Sequence, residues 1–390
     1  MSEGDESMKD VIYMDYQATT PCDSRVLDAM LPYFSEKFGN PHSVTHVMGR
    51  EALEGVQNAR SQVAKLINTD ADNIIFTSGA TEANNLVIQG VCRFYDQKKR
   101  KIIVSEIEHK CVLESAKAMG RDGFEIILAP VLDNGIVDLN FLEKHINEDT
   151  LLVSVMTVNN EIGTIQPIKE ISKLCRTKSA LFHTDAAQAI GKINVDANDV
   201  DFMSISGHKI YGPKGIGALY VAKGLRVKPI LFGGGQERGM RSGTLATPLC
   251  VGLGKACEIA SVEMAEEKLR LTKFKNYFID NIMKRLPKVY LNGDEDLRIP
   301  GCLNFSFEGV EGEGIMLGMP EVCVSSGSAC TSATLDPSYV LKALNTRDEL
   351  AHSSLRIGFG RFTNFEEIQY VVDKLVSVVT RLREMSPLWK

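Results

Sequence analysis

Leu181-Phe182-His183-Thr184, Phe202-Met203-Ser204-Ile205 and Ala218-Leu219-Tyr220-Val221 follow one another as short apolar runs. Four more precede them: Ile74–Thr77, Ile102–Ser105, Glu125–Ala129 and Leu151–Val158. They are rich in Val and Ile, and Gly, Asp or Ser often ends them. Helical spacing fills several of the gaps, as in Ala83, Leu86, Val87 and Gly90, or Leu139, Leu142 and Ile146. Strands buried on both faces read as continuous apolar runs, and helices between them make crossovers. The expected fold class is therefore α/β, with a mostly parallel sheet covered on both sides. Ligands in such sheets bind beyond the carboxyl ends of the strands.

The pattern changes after Thr244. A long helix is expected from about Leu249 to Leu286, ending before Pro287. Shorter strands are expected at Leu303–Phe307, Val322–Ser325 and Leu355–Phe359. Thr363-Asn364-Phe365-Glu366 reads as a capping box. It opens a last helix whose apolar face is Ile368, Val371, Val372, Leu375, Val378, Val379 and Leu382. This half reads as a smaller α+β unit.

The 390 residues carry 44 Lys+Arg against 50 Asp+Glu, a formal charge of −6. That balance argues against a nucleic-acid footprint. No run reaches the ~18 apolar residues of a membrane helix. Nine cysteines are scattered with no C-x-x-C pair, so their spacing gives no zinc or disulfide framework. Free thiols fit a reducing compartment. The acidic start, MSEGDESMKD, resembles neither a signal nor a transit peptide. A cytoplasmic protein is expected, or a mitochondrial matrix protein given without its presequence.

Three stretches carry chemistry. Phe76-Thr77-Ser78-Gly79-Ala80-Thr81-Glu82-Ala83-Asn84 ends a strand, turns on small residues and starts a helix. It is either an anion site at a helix N-terminus or a plain Ser/Thr-capped turn. Ser206-Gly207-His208-Lys209 puts a lysine in a Gly/Pro-rich loop at a strand end, where a lysine can form a Schiff base. Asp185 follows the strand before it. A Lys, an acid and a phosphate cradle together suit pyridoxal phosphate. The rival, His183-x-Asp185 as a metal pair, lacks further ligands. Cys330 lies in Val324-Ser325-Ser326-Gly327-Ser328-Ala329-Cys330-Thr331-Ser332-Ala333. Small polar neighbours bury a thiol poorly, so it reads as a candidate nucleophile.

Other stretches join these: Tyr13-Met14-Asp15-Tyr16-Gln17-Ala18-Thr19-Thr20-Pro21, Phe38-Gly39-Asn40-Pro41, Glu108-His109-Lys110, Asn159-Asn160-Glu161-Ile162-Gly163, Gly239-Met240-Arg241-Ser242-Gly243-Thr244, Glu349-Leu350-Ala351-His352-Ser353-Ser354-Leu355-Arg356 and Ser386-Pro387-Leu388-Trp389. In this order they resemble the pyridoxal-phosphate-dependent cysteine desulfurases of the IscS/NifS family, housekeeping iron–sulfur-assembly type, over nearly the whole chain. The resemblance implies the aspartate-aminotransferase fold (fold type I) and a homodimer. It implies a large domain over 16–250 and a small one over 1–15 and 251–390, with the cysteine loop at about 323–337.

By the same resemblance, Lys209 is the Schiff-base lysine, and His109 stacks on the pyridine ring and moves protons. Asp185 keeps the ring nitrogen protonated, and Gln188 bonds the 3′-oxygen. Ala80, Thr81, Ser206 and His208 form the phosphate cradle, and Thr244 reaches the partner subunit's phosphate. Arg356 and Asn160 clamp the substrate carboxylate, and Asn160 also contacts the cofactor. Cys330 takes the sulfur as a persulfide, and no stable metal site is implied beyond Cys330 as a transient iron–sulfur cluster ligand. The implied reaction turns L-cysteine into L-alanine, supplying sulfur to an iron–sulfur scaffold protein, to tRNA thiolation and to other acceptors. Many relatives continue past Trp389 with a tail tied to scaffold docking. Residues from about Ser326 to Leu335 are expected to be poorly ordered or distant from Lys209. The alternative is an aminotransferase or a selenocysteine lyase on the same fold; an aminotransferase needs no such thiol loop. A sulfur carrier without catalysis needs no Lys209, Asp185 and phosphate loop together.

Overall fold

A computed structural model describes residues 11–95, 99–326, 337–386 and 389. The strands are β1 (Ile12–Tyr13), β2 (Ile74–Thr77), β3 (Lys101–Ser105), β4 (Glu125–Ala129), β5 (Thr150–Ser154), β6 (Leu181–Asp185), β7 (Phe202–Ser206), β8 (Gly217–Val221), β9 (Val289–Leu291), β10 (Cys302–Phe307), β11 (Val322–Cys323) and β12 (Ser354–Gly358). Seven of them form the main sheet, in the order β2-β8-β7-β6-β5-β3-β4. Only β8 runs against its neighbours, and the pairings from β7 to β4 are all parallel. Alternate side chains of this sheet enter separate cores. Phe76, Ile103, Val153, Phe182 and Met203 share one with the helices Val47–Leu66 and Thr247–Arg285. Ile75, Ile102, Leu152, Phe202 and Leu219 share the other with Ala80–Tyr95 and Lys110–Arg121. Both faces are thus covered, which is why these strands read as unbroken apolar runs.

A second, antiparallel sheet holds β12, β10 and β9, and the helix Phe365–Met385 packs its predicted apolar face on it. The long helix Thr247–Arg285 serves both halves. Cys250, Leu253, Ala256 and Cys257 enter the first core, while Leu271, Phe274, Phe278 and Ile282 enter that of the small sheet. β1 pairs in parallel with β11, and Asp15 bridges Gly358, so the first described residues join the last sheet. That join places Asp15 and Gln17 beside the carboxyl ends of the main sheet.

Two expectations shift. The strand within the run Leu151–Val158 ends at Ser154; beyond it Val155 and Thr157 still donate to the β6 carbonyls of His183 and Asp185, while Met156 N turns to the Glu108 carboxylate. The capping box is one residue later than Thr363–Glu366. Asn364 Oδ1 accepts from Glu367 N at 2.8 Å, and Glu367 Oε2 accepts from Asn364 N at 2.9 Å. Thr363 is taken: it is buried, and its Oγ1 accepts from Gly360 N at 3.1 Å.

Candidate active site

Burying an amine favours its neutral form, and at Lys209 burial outweighs the pull of Asp15 and Asp185. It ends the turn Gly207–Lys209 directly after β7. Its Nζ donates to the carbonyls of Gln17 (2.5 Å) and Ala18 (2.7 Å). Burial, then the Lys192 and Arg356 cations, push its pKa down to about 7. An amine neutral near physiological pH is a nucleophile and a base.

Asp185 ends the neighbouring β6 and is almost fully buried. Its Oδ1 accepts from Ala187 N at 2.9 Å and its Oδ2 from Asn84 Nδ2 at 2.7 Å. Donors on each oxygen hold the carboxylate in one orientation. Gln188, one turn on, is fixed at both ends of its amide: Nε2 donates to Gln17 O at 2.9 Å and Oε1 accepts from Lys192 Nζ at 2.8 Å. His109 caps the helix Lys110–Arg121, its Nδ1 accepting from Cys111 N at 3.2 Å. His208 meets Thr19 Oγ1 at 3.0 Å, and burial with the adjacent Lys209 lowers its pKa to about 4, so it is neutral at physiological pH.

Arg356, in β12, reaches across from the small sheet. Its Nη2 pairs with Asp15 Oδ1 at 2.7 Å and its Nη1 donates to Asn160 O at 3.1 Å. Its Nε and Asn160 Oδ1 are buried and make no hydrogen bond among the described residues. Orphaned buried polar atoms point to a missing partner.

These side chains line one cavity of about 630 Å³. Ala80, Thr81, His109, Asn160, Asp185, Gln188, Ser206, His208, Lys209 and Arg356 all face it, so ten residues singled out in the sequence meet there. Thr244 does not; it is exposed, on the connection after Gly239. Cys330 lies outside the described residues, as does most of the 326–335 segment. The chain leaves for it at Ser325, which pairs with the backbone of Arg356, and returns at Ser338 and Tyr339, which line the cavity. Sequence reasoning assigned no role to Asp15, Gln17, Asn84, Cys111 or Lys192. Asp15, Gln17 and Asn84 sat inside stretches already quoted; nothing local marked Cys111 or Lys192.

His183 serves the core. Its Nδ1 meets Ser154 Oγ at 2.8 Å and its Nε2 meets Ser204 Oγ at 3.1 Å, so both nitrogens are engaged. Among the described residues, no cluster of three His, Cys, Asp or Glu side chains could hold a metal ion.

The cavity fits pyridoxal 5′-phosphate on its own chemistry. At one end the 16-residue helix Ala80–Tyr95 begins, and its N-terminal amides suit an anion. Gly79, before it, lines the cavity with φ +150°, and a Cβ there would meet no atom within 4 Å, so the backbone borders open space. Asp185 supplies an acid for the ring nitrogen and Lys209 an amine for the aldehyde.

The family model "Aminotransferase class-V" matches residues 12–371. Human "Cysteine desulfurase" is 57% identical over 383 residues, covering 97% of this chain and 84% of its own length. "Cysteine desulfurase IscS" of Rickettsia typhi is 56% identical, covering 97% and 93%. Among solved structures, a "NifS-like protein" superposes with TM-score 0.89 at 36% identity over 95% of this chain and all of its own. "SspA in complex with cysteine" gives 0.79 at 36% identity, over 90% and 100%. With these relatives spanning almost the whole chain, and with Lys209, Asp185 and Arg356 converging on one cavity, the chain belongs to the class-V aminotransferase family and, within it, to the cysteine desulfurases.

Proposed function

We propose that this chain converts L-cysteine to L-alanine and carries the sulfur away as a persulfide on Cys330. The observation that carries the reading is the convergence of a near-neutral Lys209, a donor-held Asp185 and a half-satisfied Arg356 on one cavity. Cysteine as substrate is also supported by the neighbour whose structure is described as a complex with cysteine.

When bound, pyridoxal 5′-phosphate supplies an electron sink that weakens the Cα–H and Cβ–S bonds of the amino acid. Lys209 holds it, with Asp185 at the ring nitrogen, His109 at the ring, Gln188 at the 3′-oxygen, and Ala80, Thr81, Ser206 and His208 at the phosphate. Thr244 has the further role of reaching the phosphate held by a second copy. Arg356 and Asn160 bind the substrate carboxylate. Lys209 Nζ takes the Cα proton and later returns one. The Cys330 thiolate bonds to the substrate sulfur as the Cβ–S bond breaks. The electron pair stays on carbon and is protonated, so cysteine plus thiol gives alanine plus persulfide. The persulfide then serves an iron–sulfur scaffold protein and other acceptors, tRNA thiolation among them, with Cys330 as a transient cluster ligand.

The working unit is a homodimer. We assign each copy two domains, 16–250, and 1–15 with 251–390; the separate cores of the two sheets support two units, with Leu253, Ala256 and Cys257 of the second packing into the first. No described helix is long and apolar enough to cross a membrane. We place the protein in the cytoplasm, or in the mitochondrial matrix after loss of a presequence, on its scattered free thiols. Brief exposure to cysteine followed by peptide mass spectrometry tests the central claim. One added sulfur on the Cys330 peptide, with alanine released, is expected.

Two substitutions test the clamp and the acid. Arg356→Ala is expected to raise KM by about one to two decades, since hydrogen bonds to a charged group are worth roughly 1.5–3 kcal/mol. The cofactor spectrum should hardly move, and Arg356→Lys should recover part of the loss. A KM within twofold of wild type would remove the clamp role. Asp185→Asn is expected to bind cofactor and turn over about 10- to 1000-fold more slowly, because a nearby opposite charge is worth about one to three pKa units to the ring nitrogen. The asparagine also cannot accept on both sides, so it sets its NH2 against either Ala187 N–H or the Asn84 amide. An unchanged kcat would exclude Asp185 from the reaction.

A further inference from the structure

The helix Ala80–Tyr95 buries Asn84 completely one turn after its start. A buried amide in an otherwise apolar helix face needs partners. Asn84 Nδ2 has two: Asp185 Oδ2 at 2.7 Å and Cys111 Sγ at 3.1 Å. Its Oδ1 has none among the described residues. The reverse amide orientation would set Oδ1 against the Asp185 carboxylate, so chemistry fixes the NH2 on this side. Both of its hydrogens are then committed, one to each acceptor.

Cys111 continues the chain. Its Sγ accepts from Asn84 and lies 3.0 Å from His109 Nδ1. That nitrogen already accepts from Cys111 N, so it carries no proton, and the thiol hydrogen is the donor toward it. A single ring proton then sits on Nε2. The sequence Asp185–Asn84–Cys111–His109 joins a carboxylate at the end of β6 to an imidazole at the start of the next helix.

We propose that Asn84 and Cys111 are positioning residues that fix Asp185 and His109 relative to each other. The proposal rests on the roles given to Asp185 and His109 above. Asn84 holds the second oxygen of Asp185, leaving the carboxylate a single orientation between the Asn84 amide and the Ala187 amide. Cys111 suits the middle place because a thiol accepts and donates at once. A serine can do the same; an alanine cannot.

The test uses the full chain, prepared without cofactor and titrated with pyridoxal 5′-phosphate, followed by visible absorbance and then by steady-state kinetics. Asn84→Ala is expected to weaken cofactor binding about 10- to 100-fold, the loss of one charged hydrogen bond, and to shift the absorbance maximum as Asp185→Asn does. In the Asp185→Asn background the same change should add little, because the two act as one unit. Cys111→Ala, at a half-buried place in the first turn of its helix where alanine is a good helix former, should lower kcat with KM for cysteine unchanged, and Cys111→Ser should recover most of it. Wild-type affinity and absorbance in Asn84→Ala, or equal kcat in Cys111→Ala and Cys111→Ser, would overturn the proposal. Lys209→Ala in the same titration separates it from the underlying reading. A wild-type spectrum retained there would remove the Schiff-base role of Lys209, whereas loss of that spectrum in Lys209→Ala beside a wild-type-like Asn84→Ala removes only the positioning roles.

Discussion

Lys209→Ala is expected to abolish the visible absorbance of the loaded enzyme and to reduce sulfide release by about 10³-fold or more. The basis is a double role on one atom. In the function proposed above, Nζ is both the amine for the cofactor's aldehyde and the base for the substrate's Cα proton, and base catalysis alone is worth about 10²–10⁴-fold. The fold should survive. Lys209 stands on a cavity wall, and its removal takes away a poorly solvated cation near Lys192 and Arg356. Against that, the Ala18 carbonyl loses its donor, while Gln17 O keeps Gln188 Nε2. These terms oppose each other, so circular dichroism and melting should stay close to wild type. The pH dependence has a definite sign. With the pKa lowered to about 7, the amine is charged and unreactive below that value and neutral above it. Cofactor capture by the unloaded wild-type protein should therefore slow about tenfold per pH unit below 7 and level off above about 8. Stopped-flow absorbance measures it. A capture rate that stays flat from pH 5.5 to 8 would contradict the lowered pKa, and colour plus sulfide in Lys209→Ala would end the Schiff-base assignment.

Lys209 and Asp185 were legible for a physical reason. Each follows a strand that is apolar because both sheet faces are covered, so a polar residue at the strand end stands out. The strands of the main sheet were legible on the same ground. What escaped lacks that contrast. β1 is two residues long and gains meaning only by pairing with β11, which was expected as Val322–Ser325 and is shorter, Val322–Cys323. The helix Val47–Leu66 buries Gly49, Ala52, Gly55 and Ala59 beside Val56 and Val63, so its apolar stripe is made mostly of small residues and reads faintly. Small residues there permit close approach: a Cβ on Gly55 would sit 2.6 Å from the Tyr33 ring. In the site, Arg356 was legible only by resemblance, because its place beside Asp15 depends on a join between residues 341 positions apart. Asn84 and Cys111 sit inside helices, and the contacts that give them a task are tertiary. Local pattern shows where a polar residue is unusual, but not which distant carboxylate it meets.

Cys330→Ser is expected to keep the cofactor colour and the spectral response to cysteine while sulfide release falls below about one per cent of wild type. The two halves of the reaction need different groups. Loosening the Cβ–S bond depends on the cavity: Lys209 as base, Asp185 and His109 around the ring, Arg356 at the carboxylate. Accepting the sulfur depends on a thiolate, a few per cent of which exists at pH 7 for an ordinary cysteine, whereas a serine hydroxyl has no comparable anion. A serine should therefore stop the enzyme after substrate binding. The cavity holds a rival thiol, which makes the test sharp. Cys111 lines it too, but its sulfur accepts from Asn84 and lies 3.0 Å from His109 Nδ1. A thiol donating to an imidazole and accepting from an amide is already engaged, and moving it would break the His109 contact. The segment carrying Cys330 instead leaves the described chain beside Arg356 and returns at Ser338 and Tyr339, so one of its ends pairs with Arg356 and the other lines the cavity. Added sulfur is accordingly expected on the Cys330 peptide in wild type and in Cys111→Ala, and on no peptide in Cys330→Ser. Persulfide on Cys111 in the Cys330→Ser protein, with wild-type sulfide release, would transfer the nucleophile's role to Cys111 and break the division of labour argued here.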